Sequence, residues 1–182
     1  MQNQNATRNQ PLNPRLMQIL QRAATEAGVD VVVFSGGQFR RDSGNPRRVG
    51  SIRHDEGLAA DVHIYSGGQR LSTAREHPVV SKFIASAVAA GARGIGAGPG
   101  YMGGVGIHID LWGDRAGSKT WGRNARSGNT PAYVTAAYNA GLKYGGTNEP
   151  HTVPKQLVSN KIQEKSQATS EFTTEAQKAV NR

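Results

Sequence analysis

The chain has 182 residues, 36% of them hydrophobic and only 6% aromatic, with 23 glycines and a net charge of +9. That length suits one domain with a tail and is enough to bury a core. The absence of cysteine excludes disulfides and thiolate metal sites, and no apolar run approaches the length of a membrane span.

Residues 1–13 are a polar arm without the apolar core of a secretory signal, which predicts synthesis in a cytoplasm. Asn13 and Pro14 then open a helix whose apolar positions Leu16, Ile19, Leu20 and Ala23 recur at helical spacing up to Gly28. VDVVVFS, Val29 to Ser35, reads as a buried strand closed by a glycine turn. A loop rich in Arg, Gly and Pro leads to a second strand over Leu58 to Tyr65, SGGQR marks a turn, and Leu71 opens a short strand. A second helix is expected from Glu76 to Ala90.

GARGIGAGPGYMGGVG reads as a tight strand and a glycine-rich turn that passes close to a substrate groove, with Tyr101 lining it. Its GxGxxG matches lie between a helix and a strand, not between a strand and a phosphate-facing helix, so they are not read as a dinucleotide site. The strand GIHIDLW follows, then a loop anchored by Trp121, then a helix over Pro131 to Leu142. The domain is therefore placed at 14–142, and the polar composition of 143–182 predicts a tail that is flexible or docked on a partner. The layout is α+β, with a small antiparallel sheet and flanking helices.

Two stretches carry the chemistry. In RHDEGLAADVHIY, His54 precedes Asp61 by seven residues, and in GIHIDLW, His108 precedes Asp110 by two. An imidazole nitrogen and a carboxylate are ligands for a divalent zinc ion, and a catalytic zinc site takes three protein ligands and keeps one open position. A period of two puts Asp61 and His63 on one strand face and Ala60, Val62 and Ile64 on the other, while His108 and Asp110 share a face opposite Ile107 and Ile109. Pairing of the two strands would bring Asp61 to His108, with His54 reaching in from the preceding loop. Either strand alone is more simply a strand with a hydrogen-bonded histidine.

The block His54, Gly57, Ala59, Asp61, followed by His108-x-Asp110, resembles the zinc peptidase family of D-alanyl-D-alanine carboxypeptidases, D-Ala-D-Ala dipeptidases and phage endolysin peptidases, whose fold Hedgehog signalling domains share. The resemblance covers roughly Leu16 to Trp112 and is nearest to phage-encoded members. It implies Zn2+ held by His54, Asp61 and His108, and metal-assisted hydrolysis of a peptidoglycan stem-peptide or cross-bridge amide. It also implies delivery to the cell wall by host lysis, a holin or a virus particle, in which the C-terminal tail would dock on other virion proteins.

The chain departs from the family pattern at three places. Ile52 stands where the family has a serine two residues before the first ligand, with Ser51 displaced by one; Gln38 stands where the family has an oxyanion-stabilising arginine. Arg40, Arg41, Arg47, Arg48 and Arg53 are candidates to replace that charge. Val105 occupies the general-base position three residues before His108, which leaves Asp110, Glu56 and Asp55 as the nearest carboxylates. Asp110 serves either as that base or as the partner that fixes an imidazole tautomer. His63 is a further ligand candidate, more simply read as structural.

The basic cluster FRRDSGNPRRVGSIRH has Phe39 as its one aromatic and runs straight into His54. Nucleic-acid binding, which uses phosphate-tracking cations with stacking aromatics, is therefore the least supported reading. Arginine forks there, Arg53 foremost, would grip stem-peptide carboxylates or form a solvated surface. The alternative to an enzyme is a zinc-fold structural or binding protein of a phage particle that has lost turnover.

Overall fold

The computed structural model describes residues 8–45, 50–112 and 119–145. Arg47, Arg48, the first seven residues and the tail from 146 onward lie outside the described residues. In chain order the elements are α1 (Pro14–Ala27), β1 (Asp30–Ser35), β2 (Ala59–Ser66), β3 (Gln69–Arg70), α2 (Pro78–Ala89), β4 (Gly94–Gly96), β5 (Ile107–Asp110), β6 (Thr120–Trp121) and α3 (Ala132–Gly145).

The helix ends follow from local chemistry. The Asn13 side-chain oxygen accepts from the Arg15 N–H at 2.9 Å, Pro14 sits where no intrahelical donor is needed, and Gly28 closes α1 in the left-handed conformation at φ 70°. In α2 the cap is His77, whose Nδ1 accepts from the Val79 N–H at 3.2 Å. That helix starts at Pro78 and not at Glu76, because a residue before proline is pushed out of the helical region. α3 runs through Gly145, so the first three residues assigned to the tail belong to the domain.

The sheet order is β1-β2-β5-β4-β6, with β3 hairpinned onto β2. All pairs are antiparallel except β4 with β6, which is parallel. The expected antiparallel sheet is thus a mixed one. β6 lies in the stretch read as a loop, and two residues are too few to show alternation; its strand character comes from Lys119 and Trp121 carbonyls accepting from Ile95 and Ala97 N–H groups at 2.9 and 3.1 Å. The short strand expected at Leu71 falls on Gln69–Arg70, inside the segment read as a turn.

One continuous core joins Leu16, Ile19, Leu20 and Ala23 of α1 to Val80, Phe83 and Ile84 of α2, Val134 of α3, and Val62, Ile64, Ile95, Ile107 and Ile109 of the sheet. Full burial of each large side chain stabilises the fold by about 1.5–3 kcal/mol. The β2–β5 ladder matches Ala60 to Ile109, Asp61 to His108 and Val62 to Ile107. Because side chains alternate, the apolar partners enter the core while Asp61 and His108 meet on the opposite face. The last residues of the polar arm are part of this domain: Gln10 forms a bridge with Gly37.

Candidate metal centre

Asp61 and His108 are direct cross-strand neighbours, and His54 comes from a short 3₁₀ turn, Ile52–His54, capped by the Ser51 hydroxyl accepting from the Arg53 N–H at 3.2 Å. The carboxylate Oδ1 of Asp61 lies 2.8 Å from His108 Nδ1 and 3.5 Å from His54 Nε2. One ligand atom from each of the three residues falls within 4.8 Å of the others. Their relative exposures are 1% for His54 and 3% for both Asp61 and His108. This buried group could hold a metal ion.

The outer contacts decide which ring nitrogens face inward. His54 Nδ1 lies 2.8 Å from the Gly36 carbonyl, an acceptor that requires an N–H there and turns Nε2 toward Asp61. His108 is held between two carboxylates, with Nδ1 2.8 Å from Asp61 Oδ1 and Nε2 3.2 Å from Asp110 Oδ2; with a cation at Asp61, Nδ1 would be the ligand atom and the Nε2 N–H would stay on Asp110. A histidine with its second nitrogen on a carboxylate or carbonyl is the usual outer contact of a metal ligand. Ligand atoms around a tetrahedral zinc lie roughly 3.4 Å apart, and the two contacts of Asp61 Oδ1, at 2.8 and 3.5 Å, bracket that value. Two imidazoles and a carboxylate are a donor set that a divalent ion such as zinc accepts.

The same contacts set the charges. Burial pushes the Asp61 carboxyl up, but hydrogen bonds and charge from His108 and His54 outweigh it and hold the group well below the usual carboxylate range. For His108, burial favours the neutral ring, yet Asp110 and Asp61 together raise its pKa above the ordinary 6.5. Burial also acts against ionised Asp110, and His108 and Arg53 bring its pKa down.

The three residues form part of the wall of a cavity of about 270 Å³, which Arg8, Ser51, Arg53, Tyr101 and Trp121 also line. Tyr101 is pushed up to about 12, by burial first and then by the Asp61 charge, so its phenol is a donor near neutral pH. Arg53 donates to Asp110 Oδ2 at 2.5 Å and lies over the Trp121 ring at 4.5 Å from its centroid.

The remaining sequence candidates fall elsewhere. Gln38 is buried, and its amide donates to Asp55 Oδ1 at 2.8 Å and to the Ser51 carbonyl at 3.0 Å. It braces the His54 turn and is not among the cavity residues. Glu56 is exposed, 4.0 Å from Arg40, and Asp110, fully buried, takes His108 and Arg53 on Oδ2 and the Trp112 N–H on Oδ1. Those contacts match the geometry that the tautomer-fixing alternative for Asp110 requires. His63 stacks on Phe34 at 4.2 Å, and its Nδ1 lies 3.1 Å from the Val105 carbonyl, a structural role.

Arg8, Met102, Trp121 and Ala125 line the cavity without having been candidates from the sequence. Arg8 belongs to a polar arm with no periodicity, yet its NH1 lies 3.2 Å from Asp61 Oδ2. Trp121 packs against His108 with ring centroids 5.1 Å apart. Gly94 and Gly96 gave the available signal: a Cβ at Gly94 would strike the Asp110 carboxylate, and one at Gly96 the Trp121 indole. These strand glycines make room for site side chains.

Comparisons with protein-family models, with curated proteins and with solved structures return no significant match.

Proposed function

We propose that the protein is a zinc-dependent peptidase of the D-alanyl-D-alanine carboxypeptidase and phage endolysin type, with a Hedgehog-like fold, cutting a stem-peptide or cross-bridge amide of peptidoglycan. The observation that carries this reading is the convergence of His54, Asp61 and His108 on the wall of a cavity that Tyr101, Arg8 and Arg53 also line. Zinc at these three residues would supply Lewis-acid polarisation of a carbonyl and more acidic water at an open fourth position.

The chain's own groups account for the rest of the proposed site. Tyr101 keeps its proton and can donate to an amide oxygen as that oxygen gains charge. Arg8 and Arg53 line the cavity while paired with Asp61 and Asp110, and their remaining N–H groups suit a peptide bearing carboxylates. Asp110 holds the His108 ring in one tautomer. The protein would reach the wall after host lysis or as part of a virion.

One observation supports a second reading. Among the described residues that line the cavity, Asp61 is the only carboxylate, and as a ligand it is poorly placed to carry a proton to a leaving amine. A zinc-fold structural or binding protein of a phage particle would have the same ligands without turnover.

Metal analysis combined with digestion of purified cell walls, products being read by mass spectrometry, separates the two. The peptidase predicts about one zinc per chain and a new amide cut, both lost in His54→Ala. Stoichiometric zinc with no muropeptide cut from about pH 5 to about pH 9, the range in which a general base would titrate, assigns the second reading. A protein that binds no metal refutes both.

A further inference from the structure

The two oxygens of Asp61 have different surroundings. Oδ1 faces His108 and His54, at 2.8 and 3.5 Å, whereas Oδ2 lies 3.2 Å from Arg8 NH1. The same Arg8 nitrogen is 3.3 Å from the Ser35 hydroxyl, and Ser35 is the cross-strand neighbour of Asp61. One guanidinium nitrogen is therefore shared between the two strands that border the site.

The arm brings Arg8 there by backbone pairing. Gly36 N–H donates to the Arg8 carbonyl at 2.8 Å, Gln10 and Gly37 exchange two hydrogen bonds of 3.0 Å, and Asn13 N–H donates to the Gly57 carbonyl at 3.0 Å. A Cβ at Gly37 or Gly57 would run into the Pro11 carbonyl, so side chains at these two positions would lift the arm away. On its other side Gly36 accepts from His54 Nδ1. The tripeptide Ser35–Gly37 thus fixes the arm and orients a ligand histidine together.

We propose that Arg8 is a positioning residue that occupies Asp61 Oδ2 and so restricts Asp61 to one metal-facing oxygen. The proposal rests on the metal-centre reading above. An unrestrained carboxylate can bind with both oxygens, which raises coordination number and suits larger, oxygen-preferring cations. A guanidinium on the second oxygen leaves two imidazole nitrogens and a single oxygen, the donor count of an open four-coordinate zinc site. The arm is then a part of the centre, although it carries no ligand.

Cobalt(II) added to the full-length metal-free protein tests this, because its visible absorption is intense when four-coordinate and weak at higher coordination number, and geometry of this kind is diagnostic. Wild type is expected to give the intense band. Arg8→Met is expected to still bind cobalt, with absorbance per bound ion several-fold lower and zinc affinity reduced by about 10–100-fold, the range for loss of an outer contact. Arg8→Lys, which retains a donor and the charge, should recover most of both. Ser35→Ala should move the band in the same direction by less.

A merely structural arm would lower stability without altering the cobalt band, so a wild-type spectrum in Arg8→Met overturns the proposal. If Arg8→Met does not fold, a wild-type spectrum in Ser35→Ala overturns it instead. Failure of the wild-type protein to bind cobalt or zinc refutes the metal centre itself, an outcome distinct from an unchanged band.

Discussion

β2 and β5 present two faces that are equally dry and chemically opposite. On one face Ala60, Val62, Ile64, Ile107 and Ile109 are 0% exposed; on the other Asp61, His108 and Asp110 are 3%, 3% and 0% exposed. Burial therefore does not distinguish core from site. The apolar face is stabilised without directional demands, since any well-packed neighbour serves. On the polar face each group costs stability unless a specific partner meets it. Those partners come from the arm (Arg8), the 3₁₀ turn (His54, Arg53) and the backbone after β5 (Trp112).

This contrast predicts that the two faces fail in different ways. The largest effect is expected on the polar face: His108→Ala removes one of the three proposed ligands, and metal should be lost on dialysis while circular dichroism still reports a folded domain. Retained stoichiometric zinc would break the assignment. Ile109→Ala, one residue along the same strand, should do the converse. It should cost about 2–5 kcal/mol in denaturant unfolding yet leave metal per folded chain unchanged.

Asp110→Asn sharpens the comparison, because it keeps the shape and removes the charge that holds the His108 proton. Zinc should remain bound, with affinity about 10–100-fold weaker, measured by competition with a chelator. Unchanged affinity together with lost turnover would return Asp110 to the role of general base.

Protonation gives the smallest effect. His108 has a raised pKa, so its pairing with Asp61 and Asp110 stabilises the metal-free fold fully below its ordinary 6.5, and this is lost as pH rises through the higher folded value. Asp61 and Asp110 are lowered from 3.8, so their contribution is present above that value and lost as pH falls through the depressed ones. Denaturant unfolding of the metal-free wild type beside His108→Ala should show the difference between them shrinking as pH rises above 6.5; a difference independent of pH would remove the pairing as its cause.

Much of this could be read in the chain. The cap at Asn13, the apolar spacing of α1 and the alternation in β2 and β5 are local patterns, and they placed three helices and the ligand strands. β6 is only Thr120–Trp121, too short to carry a pattern, and its parallel pairing with β4 depends on a neighbour far away in sequence. Gln38 was a candidate by its place in the family pattern, Asp110 by the strand face it shares with His108 and Glu56 by nearness in sequence, and none of these says where the side chain finds its partner. Gln38 turned out to brace Asp55, Glu56 to face Arg40, and Asp110 to sit behind His108.

The sequence by itself determined the α+β layout, because strand and helix periods are encoded within a few positions, and through alternation and a family resemblance it pointed to His54, Asp61 and His108 as a group that could hold a metal. Only the tertiary structure decided how each donor is oriented: which nitrogen of His54 and His108 faces inward, and which oxygen of Asp61 Arg8 occupies. Those choices are made by hydrogen bonds to Gly36, Asp110 and Arg8, groups that chain folding brings together and that local spacing does not specify.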